Sequence, residues 1–307
     1  MPVFERVEYF ENALLSAINQ SVKCKIIVLD NASTHNFIKE TTLKYNIEYI
    51  RNESNIGGFP NWNKAFTVAS TDFVFLLADD DILSPLYVES FLNALNQYPD
   101  IDIYYSDFIL TNYYTGEKYP HSHILPFGYM ENGIKIIEYG IRFKLGFPVI
   151  TSAIKKSKFK GFYTDMHGSN DWLWIYSNAK ELKFFGDNNV LLEYGRHEKQ
   201  DTASSDTHMK CFISICYIYE EILANKINKA ELTAIAKKLA NNAFNYFIAI
   251  ATPDFINELN IKNDIYAEYF RKKLKTNNYY KFIIKIPLLI RKTLYRIAIR
   301  FGLLEKI

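Results

Sequence analysis

Two apolar runs that each end in carboxylates constrain this chain most. Lys25-Ile26-Ile27-Val28-Leu29 stops at Asp30, and Asp72-Phe73-Val74-Phe75-Leu76-Leu77 runs through Ala78 into Asp79-Asp80-Asp81. A continuous apolar run, without alternation, marks a strand buried on both faces, and such strands need helices to cover them. The intervening sequence supplies those helices. Glu5 to Asn19 carries Phe10, Leu14, Leu15 and Ile18 at helical spacing. The polar stretch Asp30-Asn31-Ala32-Ser33-Thr34 can cap a second helix that reaches about Tyr45. A strand over Ile47 to Ile50, a Gly57-Gly58 loop and a helix from Pro60 to Ala69 follow, with Pro60 suited to a first turn. Strands that alternate with helices predict an α/β fold with a mostly parallel sheet flanked by helices. Ligands of such sheets bind beyond the carboxyl ends of the strands, so Asp30 and Asp79 to Asp81 are expected to face one crevice.

Farther on, the spacing predicts a helix over Pro85 to Gln97, a strand over Ile101 to Tyr105 and a loop from Asn112 to Asn132. A strand at 147–154 and a helix from Asp171 to Ala179 come next, and from Met209 the pattern is helical throughout. The expected organisation is a domain over 1–208 and a helical C-terminal region over 209–307.

Composition closes off several classes. The 307 residues carry a formal net charge of only +2, which gives no footing for a nucleic-acid partner. Cys24, Cys211 and Cys216 show no CxxC spacing, which argues against a disulfide scaffold or a structural zinc site. The N-terminus has no basic segment followed by an apolar run, and no stretch approaches the ~18 apolar residues of a membrane span. The expected location is the cytoplasm.

Three successive aspartates repel one another, so something positive should sit among them. A hard divalent cation, Mn2+ or Mg2+, shared with substrate phosphates is one answer; a solvated turn that caps the helix at Pro85 is the other. Asp30 also has two readings, a helix cap or a contact to a nucleotide's base or ribose.

Pro2-Val3-Phe4-Glu5-Arg6, Ile27-Val28-Leu29-Asp30-Asn31-Ala32-Ser33, Asn55-Ile56-Gly57-Gly58 and Leu77-Ala78-Asp79-Asp80-Asp81-Ile82-Leu83-Ser84-Pro85 together resemble glycosyltransferase family 2 in order and spacing. The resemblance covers roughly the first two hundred residues. It implies a Rossmann-like GT-A fold and an inverting transfer of a sugar from a nucleotide sugar, UDP-linked in the commonest case, to a hydroxyl of a glycan acceptor. Bacterial surface polysaccharide or lipooligosaccharide synthesis is the implied setting. On this resemblance Pro2, Val3 and Glu5 lie along the nucleotide, Asp30 holds its base or ribose, and Asn55 and Gly57 face it. Asp79 and Asp80 belong to the donor site, and Asp81 and Asp79 are the expected metal ligands.

Gly168-Ser169-Asn170-Asp171-Trp172 resembles the family's acceptor-side motif, with Asn170 in place of the usual first acid. Asp171 is then the candidate catalytic base, against the alternative of a helix N-cap. Trp172 is the candidate acceptor contact. Trp172 and Trp174 point to opposite sides of a helix, so at most one of them faces the site. Tyr194-Gly195-Arg196-His197, followed by Gln200 and Ser204, resembles the closing segment of the catalytic domain. There His197 approaches the metal or diphosphate, unless it is simply solvated, and Arg196 could neutralise phosphate. His121 and His123 carry no motif.

The family normally opens with a buried strand ahead of Pro2, absent here. Its absence is expected to leave backbone groups of the neighbouring strand unsatisfied and predicts apolar residues encoded in frame upstream of Met1. At the other end, residues 271–300 hold ten Lys or Arg and no Asp or Glu. Lys281, Lys285, Lys292, Arg296 and Arg300 fall on one side of a helix that Pro287 interrupts. This reads as a basic amphipathic surface for an anionic membrane, peripheral on its inner face and suited to a lipid-linked glycan acceptor. The alternative is a helix packed on the domain with a solvated basic face. Two other functional readings stand beside the enzyme. A sugar nucleotidyltransferase would need a Gly-rich loop after the first strand, but the first glycine is Gly57. A non-catalytic nucleotide-sugar or carbohydrate binder would keep the fold without the chemistry.

Overall fold

The computed structural model describes every residue except 121–124, 144–146, 165–167, 201–204, 225–228, 301–302 and 305–307. His121, His123 and Ser204 therefore lie outside the described residues. The chain forms two compact units: Met1–Phe162 with Asn178–Lys199, and Tyr163–Ser177 with Gln200–Ile307. Where the sequence puts the division at 208/209, the contacts take Tyr163–Ser177, and with it Asp171, into the helical unit.

The first unit opens with a parallel sheet in the order β1 (Pro2–Val3), β2 (Ile27–Asp30), β3 (Glu48–Arg51). Val3, Asp30 and Arg51 lie level in the register, so their tips form one row. Helices α1 (Phe10–Ile18), α2 (Phe37–Lys44) and α3 (Gly58–Val68) follow the successive strands. Val3, Phe10, Leu14, Val28 and Ile38 make a buried core, each such side chain contributing roughly 1.5–3 kcal/mol.

Two local expectations change. The first helix starts at Phe10 rather than Glu5, because Glu5 takes a left-handed φ of 57° that breaks helical continuity. The polar stretch 30–34 does not cap α2, whose N-cap Asn36 makes no side-chain bond; it builds the site described below. The groups of β2 facing β1 are also not orphaned. Leu29 N donates to Met1 O at 2.8 Å, Asn31 N donates to Val3 O at 2.9 Å, and the Met1 amine donates to Ile27 O at 2.7 Å.

The second sheet runs β4 (Phe73–Phe75), β9 (Ser152–Lys155), β6 (Ile103–Asn112), β10 (Phe184–Arg196), β5 (Ile82–Leu83). Two short strands join it, β7 (Lys118–Pro120) on β6 and β8 (Gly128–Met130) on β10. The α/β architecture is the expected one, but pairing in this sheet is mixed. Only β6 and β10 run parallel, and the remaining pairs are antiparallel. The short strands β7 and β8 come from the Tyr- and Gly-rich segment 112–132, and β10 shifts register around Asp187 and Val190, which interrupts any apolar period. Helices α4 (Tyr87–Gln97) and α5 (Ile134–Arg142) complete the unit.

The second unit is helical: α6 (Asn170–Asn178), α7 (Ser205–Tyr217) running into a π-helical stretch at Ile218–Leu223, then α8 (Ala230–Ile250), α9 (Pro253–Ile261), α10 (Ile265–Thr276), α11 (Asn278–Ile283) and α12 (Leu288–Arg300). Ala236, Ala240 and Ala243 on α8 are buried, and Phe270 packs its ring near those of Phe244 and Phe247. Thr252 caps α9 ahead of Pro253, Asp264 caps α10 and Asn277 caps α11. Pro287 falls in the break before α12, as its missing N–H requires.

Arg291 is the buried residue of α12. Its guanidinium donates to Ile286 O at 3.0 Å, Ala251 O at 2.7 Å and Ile248 O. A cation there satisfies carbonyls at the negative end of α8. Anchored in this way, α12 leaves Leu289, Ile290, Leu294 and Ile297 exposed. Among the described residues, no helix is long and apolar enough to cross a membrane.

Candidate active site

The row of strand tips carries a closed polar lattice. Asp30 is 1% exposed. Its Oδ1 accepts from Ser33 N at 2.9 Å and Ser33 Oγ at 2.7 Å, and its Oδ2 accepts from Tyr49 OH at 2.6 Å. Arg51 Nε stands 3.8 Å from the same oxygen. Asp30 thus fixes the turn through Ala32, which takes a φ of 70°, and holds Tyr49 and Arg51 beside it. Burial, followed by the Asp30 carboxylate, raises the Tyr49 phenol above its usual range.

Next to it, Asn31 Oδ1 accepts from Asn52 Nδ2 at 2.9 Å and Ile56 N at 3.0 Å, while its Nδ2 donates to Asn55 Oδ1 at 2.8 Å. Asn52 continues to Asn61 Oδ1 at 2.9 Å and accepts from Lys64 Nζ at 2.6 Å. Asn55 also takes the N–H of Gly57 at 2.8 Å. Gly57 sits at φ 92° before α3, where a β-carbon would be strained. Asn55 and Gly57 are therefore pinned to the tip of β2 by Asn31. Asn31, Asn52, Asn61 and Lys64 were not singled out in the sequence; the recurrence of Asn after successive strands was the available signal.

Glu5 bridges this lattice to the acids. Its N–H donates to Ser33 Oγ at 2.9 Å, and its carboxylate accepts from Thr34 N at 2.8 Å and Thr34 Oγ1 at 3.1 Å. Pro2 and Val3 are buried as β1 beneath it.

The next residue, Arg6, reaches the acidic turn. Its Nη1 lies 2.8 Å from Asp80 Oδ2 and also bonds Asp79 Oδ1. A continuous path therefore runs Asp30, Ser33, Glu5, Arg6, then Asp79 and Asp80.

The triplet itself is buried, at 6%, 6% and 1% exposure. This overturns the solvated-turn alternative. β5 pairs Leu83 with Leu192 and Ile82 with Glu193, which draws Asp81 beside Gly195. The Gly195 N–H donates to Asp81 Oδ1 at 3.0 Å, and a β-carbon on Gly195 would come within 2.2 Å of Asp80 O. The second oxygen of Asp81 is buried without a partner. Burial, and then Asp80 and Asp79, push the Asp81 carboxyl well above the carboxylate range.

His197 is buried, not solvated, with Nε2 3.0 Å from Asp80 Oδ2 and Nδ1 unpartnered. The rings of Tyr9 and Tyr113 flank it at 4.6 and 6.1 Å, and Tyr113 OH donates to Asp80 O at 2.7 Å. Arg196 instead lies over the Tyr194 ring at 5.8 Å.

Hard carboxylate oxygens with one orphaned buried atom fit a divalent cation in kind. The side chains are not gathered for one: among the described residues no set of three His, Cys, Asp or Glu groups is arranged to hold a metal, and Asp79 and Asp80 are turned onto Arg6.

In the helical unit, Asp171 sits in the first turn of α6. Desolvation raises its carboxyl to about 6, against the pull of the backbone N–H groups of Trp172 and of Asp171 itself. Asn170 is fully buried; its Nδ2 donates to Tyr163 O at 2.9 Å and its Oδ1 accepts from Tyr266 OH. The donation to Tyr163 O is one that an amide makes and an ionised carboxylate cannot. Trp172 is half-buried, and Trp174 is packed in the core.

Comparison with known proteins agrees with this architecture. Residues 1–156 match the model of the family described as "Glycosyl transferase family 2". An uncharacterized glycosyltransferase of Haemophilus influenzae is 25% identical over 286 residues, covering 91% of this chain and 90% of that protein. Another from Methanocaldococcus jannaschii is 33% identical over 108 residues, covering 33% and 37%. Among solved structures, S. aureus TarS 1–349 in complex with UDP-GlcNAc aligns with a TM-score of 0.66 at 14% identity, covering 98% and 90%. The mannosyltransferase PcManGT from Pyrobaculum calidifontis, in complex with GDP-Man and Mn2+, aligns at 0.53 and 12%, covering 98% and 86%. Strand tips tied through Glu5 and Arg6 to an acidic turn, on a fold shared with these enzymes and under a family match spanning half the sequence, place the chain in glycosyltransferase family 2.

Proposed function

We propose that the chain transfers a sugar, with inversion, from a nucleoside-diphosphate sugar to a hydroxyl of a glycan acceptor. UDP is the first nucleotide to test, and bacterial surface polysaccharide or lipooligosaccharide synthesis is the proposed setting. One observation carries this reading: the Glu5-Arg6 step joins the Asp30 lattice to the buried acidic triplet. A ligand with a nucleoside at one end and a diphosphate at the other suits such a path. Complexes of TarS with UDP-GlcNAc and of PcManGT with GDP-Man and Mn2+ support the ligand class.

In this reading Pro2, Val3 and Glu5 line the nucleotide, and Asp30 orients Tyr49 and Arg51 toward it. Asn55 and Gly57 close its side. Asp81, with Asp79, would hold a divalent cation, and His197 keeps Asp80 in place. When bound, the cation offsets charge on the departing diphosphate. Asp171 takes the proton of the acceptor hydroxyl as the sugar carbon is attacked, with Trp172 as the neighbouring sugar contact. A thermal-shift panel of nucleotide sugars with Mn2+ tests the donor assignment. One donor is expected to raise the melting temperature well above its companions, and ligand at a hundred times its Kd should add about 2.7 kcal/mol. A flat panel would sink the reading.

We also propose that α12 rests on an anionic membrane, as suits a lipid-linked acceptor. Its outward face alternates exposed Leu289, Ile290, Leu294 and Ile297 with exposed Lys292, Arg296 and Arg300. Lys281, Phe282 and Lys285 extend the same character ahead of it. The full chain should co-sediment with phosphatidylglycerol vesicles but not with phosphatidylcholine vesicles. Changing Lys292, Arg296 and Arg300 to Gln should weaken that binding about a hundredfold, at about 1 kcal/mol per charge. Equal sedimentation of the triple variant would refute the proposal.

A further inference from the structure

We propose that Arg6 is a resident counter-cation of the acidic triplet, which a divalent cation must displace, and that the displaced guanidinium then serves the donor's diphosphate. The inference rests on the proposed function and concerns a residue to which that reading gives no chemical role.

A single nitrogen of Arg6 serves both Asp79 and Asp80, while Asp81 keeps one buried oxygen without a partner. His197, whose Nε2 meets Asp80, likewise leaves its Nδ1 buried and unpartnered. Arg6 therefore shares a buried acidic turn with one carboxylate oxygen, that of Asp81, still open to a cation. A divalent ion at the free oxygen of Asp81 would draw Asp79 away from Arg6. Two cations sharing the same few oxygens repel strongly in a partly dehydrated site.

The backbone at Arg6 is tethered on its N-terminal side. Glu5 is fixed by Ser33 Oγ through its N–H and by Thr34 through its carboxylate. Displacement must therefore be a swing of the side chain, which is long enough to leave Asp79 and Asp80 while the chain stays in place. Its pivot lies between the Asp30 lattice and the triplet, on the path assigned to the diphosphate. Arginine suits the second task as well, because its planar fork matches phosphate oxygens.

The test is Mn2+ binding to the full chain without donor, read by electron paramagnetic resonance or calorimetry. Arg6→Gln should bind Mn2+ at least about tenfold more tightly than the unaltered chain, while its affinity for the nucleotide sugar falls. Tenfold corresponds to about 1.4 kcal/mol. Arg6→Lys, which keeps a compact charge, should remain near the unaltered chain in Mn2+ affinity and guards against a folding defect in the first variant. Equal or weaker Mn2+ binding by Arg6→Gln would overturn the inference, as would absence of Mn2+ binding from both proteins. If the unaltered chain still shows donor-specific thermal stabilisation, that outcome leaves the proposed function standing. If that stabilisation is missing too, it is the proposed function that has failed.

Discussion

Replacing Asp81 with alanine is expected to lower sugar transfer, and the slower hydrolysis of the nucleotide sugar, by about a thousandfold or more. A metal contact of this kind contributes several kcal/mol, at about 1.4 kcal/mol per tenfold in rate. The loss should not be a folding defect. Asp81 is buried with one oxygen unpartnered, and that burial, followed by Asp80 and Asp79, raises its pKa. Removing it relieves repulsion but takes the acceptor from the Gly195 N–H, so without metal the variant should melt close to the parent. Asp81→Asn is the sharper form, since an amide oxygen can still accept the Gly195 N–H while the charge is gone. Rates with Mn2+, together with melting curves without it, check both halves. A variant that keeps the parent's Mn2+-dependent activity would remove Asp81 from the site.

Asp171→Asn should lower kcat by roughly a hundred- to ten-thousandfold, the range for loss of a positioned base, with donor affinity unchanged. The parent's pH profile carries the sign. With a folded pKa of about 6, the base is protonated below that value and free above it. Activity should therefore rise with pH through about 6, and this limb should vanish in the variant. If Asp171 were only a first-turn residue, its replacement would cost about 0.3–1 kcal/mol of helix stabilisation and leave the pH profile intact. Steady-state kinetics across pH 4.5–8 (about two units either side of that pKa), with a melting curve for each protein, separates the two roles.

The readable part of the fold and the unreadable part differ for a physical reason. β2 is the central strand of its sheet and β4 packs its aromatic rings on the core, so both sequences are unbroken apolar runs. α1, α3 and α4 bury one face each and keep a helical period. Among the strands beyond Tyr105 that regularity fails, while the helices at Asn170–Asn178 and from Ser205 onward keep their period. β10 is thirteen residues long, yet Asp187, Asn188 and Asn189 interrupt it at an irregular register, and no period survives. β7 and β8 are three residues each, too short for any pattern to declare itself.

The candidate site divides in the same way. Asp30 and Asp79 to Asp81 were legible because carboxylates directly after apolar strands have few structural uses. Asn31, Asn52 and Asn61 were not, since a lone Asn in a loop looks like an ordinary turn former. They acquire meaning, beside the expected Asn55, only when β2, β3 and α3 are side by side. Asn170 was legible as a departure from the family pattern, but its reason, a bond to Tyr163 O with Tyr266 closing from α10, was not.

By itself, the sequence determined that acidic groups would stand at strand ends on an α/β scaffold, and that a basic amphipathic tail would follow a break at Pro287. Those features follow from local order, from which residues adjoin and at what period. Only the tertiary structure decided that Arg6 meets Asp79 from seventy-three residues away, and Asp80 beside it, that Gly195 holds Asp81, and that Arg291 turns the apolar side of α12 outward. Such pairings depend on strand register and on which backbones approach closely, and neither is written in any short stretch of chain.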